Sequence, residues 1–463
     1  MPEILKMHSI WAVATNTVRQ ALRMKVAAVF IILLLVLLPF MGFTATGDGT
    51  LKGRLQTFVS YSVSLTALLL SLLSLIVSVY SVTSDIEQRQ IYTVITKPVR
   101  RSQLLLGKLL GVVLLNLGLL AIFSAIIYTI AVYTPTFARA TPEQLATLEN
   151  EFFTARRILT PGDVDVTRDV NDAYRRLKQG GQLDELLAQS SKEEILAQLT
   201  KQMKLEKRAA AVGRPLVWEF ANVKLLDPND TIFVRFKYDV SVNPPDQQVY
   251  SRWIVGDLRQ GQYGGEFRTP VYPFPRKDAV RTFHEIAVPA DAVADDGYLG
   301  VGFLNVPPNN TVVIFPLEDG LSVQYKADTF AANFFRAALL IFCRLIFLAC
   351  LGLLAATFLS FPVAMLLCMV VFLTATCSAF VIESFDYLSA NMSLIYSFTV
   401  KLIVRLLPEF DKFNPSSFLV PAKLVSWSLL ARCAALMVCI KALLLLVLAL
   451  VIFSFREIAK IIV

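Results

Sequence analysis

Long, uninterrupted apolar runs dominate the hydrophobic pattern of this chain. A run of about 18 apolar residues or more is long enough to cross a hydrocarbon core of about 30 Å as a helix. Six runs reach that length: Val26 to Phe43, Ser60 to Val82, Leu104 to Tyr133, Phe330 to Phe358, Phe361 to Ile382 and Leu429 to Phe455. The pattern predicts a polytopic α-helical membrane protein with six transmembrane helices, three in residues 26–134 and three in residues 329–463.

Apolar residues recur with a helical period within the first 25 residues. Ile10, Val13, Ala14, Val18, Ala21 and Leu22 fall at helical spacing, and polar residues fall between them. We predict an amphipathic helix over residues 1–25 that lies on the inner membrane surface. The alternative is an ordinary helix packed against the rest of the protein. No small-residue cleavage site follows the first apolar run, so we expect this segment to be retained.

Between the third and fourth runs, residues 135–328 have the composition of a soluble domain. Residues 141–211 are predicted to be helical, starting with a capping box formed by Thr141 and Gln144. Apolar and polar residues alternate in short segments of residues 215–327, and turn sequences separate these segments. This pattern predicts a β-sandwich. The predicted strands are Val217 to Val223, Thr231 to Val242, Val249 to Leu258, Glu266 to Tyr272, Val280 to Val288, Tyr298 to Val306, Thr311 to Phe315 and Leu321 to Ala327. The fold class is six transmembrane helices with a large inserted extracytoplasmic α+β domain.

Composition agrees with a membrane protein, since 55% of residues are hydrophobic and 17% are charged. We interpret the net charge of +8 as a report of topology and not of nucleic-acid binding. Lys and Arg residues lie before the first run, between the second and third runs, and after the sixth run. The positive-inside rule therefore predicts that these three segments are cytoplasmic. We therefore expect a multi-pass protein of the bacterial cytoplasmic (inner) membrane with both termini cytoplasmic. Basic residues also occur within residues 383–428, which the count of spans places outside.

Motifs for catalysis or cofactor binding are absent from the sequence. The six cysteines lie in or beside predicted spans, so they imply no disulfide framework, and two histidines without paired cysteines argue against zinc. The sequence contains no GxxxxGK[ST] phosphate-binding loop, no GxSxG elbow and no HExxH helix. We expect a chain that is not an enzyme and binds no cofactor itself.

The segment between the second and third runs carries the clearest local signals. Ser84 to Glu87 has the form of a capping box, and Lys97-Pro98 is a helix stop. These signals predict a short helix over residues 84–98, with Ser102 as a cap for the third span. A solvated loop whose basic residues only fix orientation is the alternative.

Residues 84–108 resemble the type-2 ABC transporter permeases, in which an acidic pair and a short helix precede a Thr-Lys-Pro-Val-x-Arg stretch and an apolar Leu-Gly-Lys. The matching residues are Asp85, Glu87, Ile95, Thr96, Lys97, Pro98, Val99, Arg101, Leu106, Gly107 and Lys108. The amphipathic first helix, the turn from Ser360 to Ala364 and the ending from Phe453 to Ile458 are similar too. This chain departs from the family at Arg89-Gln90 and by its insert of about 195 residues between the third and fourth runs.

The resemblance implies a permease subunit of an ATP-driven exporter that works as a dimer with an identical or related chain. It implies that ATP and Mg are bound by a separate cytoplasmic ABC ATPase subunit, which docks on a coupling helix. The residues implicated in coupling are Asp85, Glu87, Arg89, Thr96, Lys97, Pro98, Arg100 and Arg101. The sequence leaves a second class of function open, a membrane-anchored extracytoplasmic binding or scaffold protein.

Three basic residues fall inside predicted spans: Arg336, Arg344 and Lys441. A cation in lipid is costly unless it is paired or faces water, so these residues are candidates for a transport pathway. Snorkelling to the interface or simple pairing is the alternative. In the inserted domain, aromatic residues fit either a buried core or a surface that stacks on a sugar or peptide; they are Trp218, Phe220, Tyr250, Trp253, Tyr263, Tyr272 and Phe274.

Overall fold

A computed structural model describes residues 2–87, 100–181, 183, 186, 192–227, 230–260, 268–378, 380 and 407–455, with side chains from residue 9 onward. The chain divides into two compact units. One, here called the helical unit, comprises Met1–Ala155 and Thr329–Val463. The other, called the inserted unit, comprises Arg156–Asp328.

Long helices make up most of the helical unit. In chain order, the helices of both units are α1 Pro2–Arg23, α2 Lys25–Thr44, α3 Leu51–Glu87, α4 Arg101–Phe137, α5 Pro142–Glu151, α6 Thr167–Gln179, α7 Lys192–Lys207, α8 Phe330–Phe358, α9 Phe361–Thr376, α10 Ser416–Leu419 and α11 Trp427–Phe455. Within the described residues, α2, α3, α4, α8 and α11 are the five helices long and apolar enough to cross a membrane.

The predicted fifth span coincides with α9, which is apolar but covers 16 residues, Phe361–Thr376. Its predicted continuation to Ile382 lies partly outside the described residues. Five of the six predicted spans therefore correspond to helices of sufficient length. The remaining one, Phe361 to Ile382, stays a prediction.

Helices α3 and α8 form the centre of the helical unit, because both bury more of their length than the other candidate spans. Small side chains allow their backbones to approach closely. Gly352 of α8 faces Ser78 of α3, and a Cβ at position 352 would overlap the Ser78 hydroxyl. Asn116 of α4 adds a polar contact by donating to Ser74 Oγ at 2.9 Å. Close approach of small residues with a few polar contacts is typical of helix packing in membranes.

The inserted unit contains three sheets around one core. Its strands are β1 Thr154–Leu159, β2 Ala209–Ala210, β3 Pro215–Phe220, β4 Thr231–Phe236, β5 Asp239–Val240, β6 Gln248–Gly256, β7 Tyr272–Ala279, β8 His284–Pro289, β9 Leu299–Asn305, β10 Val313–Ile314 and β11 Leu321–Thr329. The sheet orders are β1-β11-β4-β8, β2-β10-β5 and β3-β9-β6-β7. The mixture of helices and sheets agrees with the predicted α+β class, and the β-sandwich stays a prediction.

Aromatic side chains fill much of this core. Phe236, Trp253, Phe303 and Phe315 are each at most 1% exposed, and the Trp253 and Phe236 rings lie 4.3 Å apart. Trp218 is half-buried and stacks edge-on against Phe315 at 4.9 Å. The core interpretation therefore accounts for the Trp218, Phe220 and Trp253 candidates.

The remaining aromatic candidates lie elsewhere. Tyr250 is exposed beneath Lys277, and the Tyr272 hydroxyl donates to Asp291 at 2.9 Å. Phe274 is partly buried against the core, and Tyr263 lies outside the described residues.

The boundary of the inserted unit differs from the predicted one at residue 135. Helix α5 starts with the predicted capping box, in which Gln144 N donates to Thr141 Oγ1 and Thr141 N donates to Gln144 Oε1. However, Leu148 and Phe152 are buried in the core of the helical unit. The compact inserted unit consequently begins at Arg156.

Residues 156–328 are expected to fold as a soluble, β-rich monomer when expressed alone, because they contain a complete apolar core of their own. Circular dichroism and size-exclusion chromatography measure this directly. Aggregation or a disordered spectrum would show that the unit depends on the helical unit for folding.

In the same fragment, Arg259→Gln is expected to lower the unfolding temperature at pH 7. Arg259 donates to Asp257 at 2.9 Å and to Asp296 at 2.8 Å, and these bonds hold the pKa of both carboxyls below the usual range. A depressed carboxyl pKa stabilises the fold above pH ~4 and ceases to do so as pH falls through the folded pKa. The difference from wild type should therefore shrink at pH 3. Arg252→Gln, at an exposed position of β6, is the control.

Candidate functional site

The candidate site is the α3–α4 junction, which comprises residues 81–87 at the end of α3 and residues 100–111 at the start of α4. Helix α3 continues without a break to Glu87, so the helix start predicted at Ser84 is wrong. Ser84 is 3% exposed and accepts a hydrogen bond from Gln20 Nε2 of α1 at 3.3 Å. Its side chain therefore joins α3 to α1 and does not cap a new helix.

A buried ion pair connects the two sides of the junction. Lys108 Nζ lies 2.5 Å from Asp85 Oδ2 and also donates to the Ser81 carbonyl. The Lys108 side chain is 5% exposed and that of Asp85 is 15% exposed. Asp85, which the sequence placed among the ATPase-contacting residues, is thus engaged inside the protein.

Lys108 lies seven residues, or about 10 Å, inside α4. An ammonium group at such a buried position requires a counter-charge and further acceptors, since desolvation of an isolated charge is costly. Asp85 supplies the counter-charge and the Ser81 carbonyl supplies the additional acceptor. The pair fixes the end of α3 against α4 at one register.

The start of α4 is held by its own first turn. Arg100 N donates to Gln103 Oε1 at 2.9 Å, so Gln103 provides the capping interaction and Ser102 does not occupy the cap position. The Arg101 guanidinium donates to the Ser454 carbonyl near the end of α11 at 3.1 Å. Arg100 and Arg101 are both exposed, as is Glu87 across the junction.

Helix α1 packs on the junction through two glycines of α4. A Cβ at Gly107 would lie 2.6 Å from Val13 Cβ, and one at Gly111 would lie 2.7 Å from the Ala14 carbonyl oxygen. Glycines four residues apart allow helices to approach closely. On α1, Ala14 and Thr17 are buried by this contact. Helix α1 therefore packs against the rest of the helical unit, as the second interpretation of residues 1–25 expects. The location of α1 on a membrane surface stays a prediction.

Residues 88–99 lie outside the described residues. This segment contains four of the proposed coupling residues, Arg89, Thr96, Lys97 and Pro98. Of the other four, the structure places Glu87, Arg100 and Arg101 at the exposed rim of the junction and Asp85 in the buried ion pair.

The three basic residues predicted inside spans all contact one short stretch, residues 407–427. Arg336 is 3% exposed, donates to the Val425 carbonyl at 2.8 Å and lies 5.4 Å from the Trp427 ring. Lys441 belongs to a π-helical stretch of α11, Ala434–Ala442, and donates to the Leu407 carbonyl at 2.5 Å.

Arg344 lies about 21 Å along α8 from Phe330, near the middle of that helix. Its guanidinium lies 4.4 Å from the Phe410 ring and 5.0 Å from the Phe372 ring, and it donates to Thr376 Oγ1 at 3.4 Å. Cation–π contacts of this kind stabilise a cation away from water. Phe410 therefore approaches α8 at mid-height.

Asn333 fixes the same stretch closer to the start of α8. Its side chain donates to the Lys423 carbonyl at 2.8 Å and accepts from Val425 N at 2.7 Å. Gln56 of α3 donates to the Val420 carbonyl at 2.9 Å. Irregular backbone beside membrane helices is tolerated where protein buries it, and these contacts provide that burial. Arg336, Arg344 and Lys441 serve here as anchors for residues 407–427, and a pathway role stays a prediction.

Two features of the junction were not singled out from the sequence. Lys108 was interpreted as a topology marker and a motif residue, although its position inside an apolar helix is a signal for a buried partner. The spacing of Gly107 and Gly111 is a signal for close helix packing that could have identified the α1 contact. Among the described residues, no group of three or more His, Cys, Asp or Glu side chains is placed to hold a metal ion.

Comparisons with protein-family models, with curated proteins and with solved structures found no match to this chain.

Proposed function

We propose that this chain is the permease subunit of an ATP-binding cassette exporter, driven by a separate cytoplasmic ATPase subunit. The observation that carries the proposal is the buried Asp85–Lys108 pair, which joins α3 and α4 directly beside the segment that resembles a coupling helix. Helices α2, α3, α4, α8 and α11, together with α9 as the sixth span, form the membrane portion in this proposal.

The proposed mechanism uses the rigidity of the junction. A force applied to residues 88–99 by an ATPase would reach α3 and α4 together, because the ion pair prevents them from moving separately. Helix α1 would follow, since it contacts both helices through Gln20 and the Gly107–Gly111 surface. Motion of α3 is then transmitted to α8 through the close crossing at Ser78 and Gly352.

The motifs of the sequence decide which subunit is assigned ATP binding in this proposal. No GxxxxGK[ST] loop is present, so ATP and Mg are assigned to the partner subunit. A second permease chain, identical or related, completes the transport pathway in this proposal, with both termini cytoplasmic in a bacterial inner membrane.

The test is a charge reversal at Glu87, on the exposed rim, together with Arg89. The double variant Glu87→Lys, Arg89→Glu should insert normally, because Arg100, Arg101 and Lys108 still hold the loop inside. Its recovery of the ATPase subunit should fall, since placing a charge opposite its own sign at an interface typically costs several kcal/mol. Pull-down from mild detergent and ATP-dependent transport measure both effects.

A matched control reverses two exposed charges elsewhere in the helical unit, Arg139→Glu with Glu143→Lys, and should leave ATPase recovery unchanged. Equal ATPase recovery and transport in the junction variant and the control would contradict the assignment of residues 84–98. Absence of any ATPase in the wild-type preparation, together with no ATP-dependent transport, would favour the anchored binding or scaffold protein.

A further inference from the structure

A mostly apolar groove of about 710 Å³ lies between α2, α3 and α4. Its volume falls within the range of about 300–1,000 Å³ that is typical of small-ligand sites. Along α4 it runs from Ala125 to Ala138, a length of about 20 Å. The end of the groove at Ala125 is lined by Pro39, Ala125 and Ile126, which offer a ligand only apolar side chains.

The charged side chain that lines the groove, Arg54, lies at its other end. Arg54, in the first turn of α3, lines the groove beside Phe43, Thr134 and Phe137 at the ends of α2 and α4. Phe43 and Phe137 are more than 80% exposed. The groove is thus amphipathic, with an apolar interior and a cationic, aromatic mouth.

Part of the Arg54 guanidinium has a structural role. Its Nη2 donates to the carbonyls of Gly42 at 3.2 Å and Phe43 at 3.1 Å, and cations near the end of a helix interact favourably with such carbonyls. Its Nε is buried and has no hydrogen-bond partner among the described residues. Capping of α2 therefore accounts for one nitrogen of a group that carries five N–H donors.

We propose that this groove binds one amphiphile of the bilayer, with its acyl chain along α4 and its anionic headgroup on Arg54. Three observations select this occupant. The walls are helices long and apolar enough to span a membrane, so bilayer lipid is the solvent expected around the groove. The lining is mostly apolar along the roughly 20 Å of α4 that the groove follows, as an acyl chain requires. The mouth holds a half-buried guanidinium of which capping of α2 uses one nitrogen, and guanidinium groups recognise phosphates and carboxylates through charge-assisted bonds.

Native mass spectrometry of the detergent-purified full-length chain tests the proposal with three probes: dioleoyl phosphatidylglycerol, dioleoyl phosphatidylcholine and oleate. Wild type should retain one equivalent of an anionic probe more strongly than the zwitterionic one. Arg54→Gln should weaken that retention by about tenfold, since charged hydrogen bonds to the headgroup are lost. Arg23→Gln removes the same charge from an exposed position at the end of α1 and should change nothing.

A second variant separates lipid binding from a loss of fold. Ala125→Trp fills the apolar end while leaving Arg54 and its bonds to α2 intact, and it should lower retention of every acyl probe. Retention of phosphatidylglycerol alone identifies a phospholipid headgroup as the source of the anion, and retention of oleate alone identifies a free carboxylate.

Equal retention of anionic and zwitterionic lipid by wild type would overturn the proposal, as would unchanged retention in both variants. The assay needs no ATPase partner. Its failure would therefore leave the proposed transport function untouched, and failure of ATPase recovery would leave the lipid site untouched.

Discussion

Replacing Lys108 by alanine is expected to destabilise the helical unit by about 3–5 kcal/mol, because the change leaves the Asp85 carboxylate without its counter-charge in a largely buried position. The Ser81 carbonyl loses the hydrogen bond donated by Lys108 Nζ at the same time. The unfolding temperature in detergent, followed by tryptophan fluorescence, should fall well below that of wild type. Lys25→Ala, at an exposed position, is the matched control and should leave the temperature unchanged.

The double variant Asp85→Asn, Lys108→Met separates the ion pair from the packing around it. Removing both charges avoids the unpaired carboxylate, so most of the lost stability should return. If Lys108→Ala unfolds at the wild-type temperature, or if the double variant is no more stable than the single one, the buried pair does not fix the junction as described.

Alanine at Gly107 and Gly111 is expected to displace α1 from α4. Each added methyl would lie closer than 3.0 Å to α1, and at Gly111 the obstructing atom is the backbone carbonyl oxygen of Ala14, which cannot rotate away. Overpacking of this kind costs about 1–3 kcal/mol per site. Hydrogen–deuterium exchange over residues 9–23 should therefore increase in the double variant.

Gly118→Ala is the matched control, since it makes the same change in the same helix at a position with no atom of the described residues within 4 Å. Exchange over residues 9–23 should match wild type there, and α4 should be slightly more stable because alanine has the higher helix propensity. Equal exchange in both variants would contradict the close contact between α1 and α4.

The long apolar helices were predictable because each carries its signal within one continuous segment, independently of any partner. The junction shows where local signals fail. Ser84 and Glu87 have the spacing of a capping box, but a serine can also sit inside a helix when its hydroxyl finds a partner. That partner is Gln20, which is 64 residues away in sequence. Only the packing of α1 reveals it.

Most predicted strands overlap an observed strand, but two predictions in the inserted unit failed. The predicted strand from Glu266 to Tyr272 falls partly on residues outside the described part, and β7 begins where it ends. Pro273 and Pro275 are unfavourable in a central strand, but β7 is the end strand of its sheet. Because the two prolines are two residues apart, their missing N–H groups fall on the same, open side of the strand. Strand β1 lay inside a region whose composition favours helices.

The partners of the intramembrane cations could not be predicted. Arg344 contacts Phe410, which is 66 residues away, and the hydrophobic pattern contains no information on which loop returns to which helix. What the sequence did indicate was that a cation inside an apolar run needs a partner. That expectation holds for Arg336, which donates to Val425, and it would have applied equally to Lys108, whose partner is Asp85.

The most direct measurement of the transporter proposal is the recovery of a partner. The full-length chain, purified in mild detergent and identified by mass spectrometry together with whatever accompanies it, should bring down an ATPase that carries a GxxxxGK[ST] loop. Reconstituted in vesicles, that complex should hydrolyse ATP, and the Glu87→Lys, Arg89→Glu variant should lose the partner while retaining membrane insertion. A wild-type chain that purifies without any nucleotide-binding subunit and shows no ATP-dependent transport would contradict the proposal.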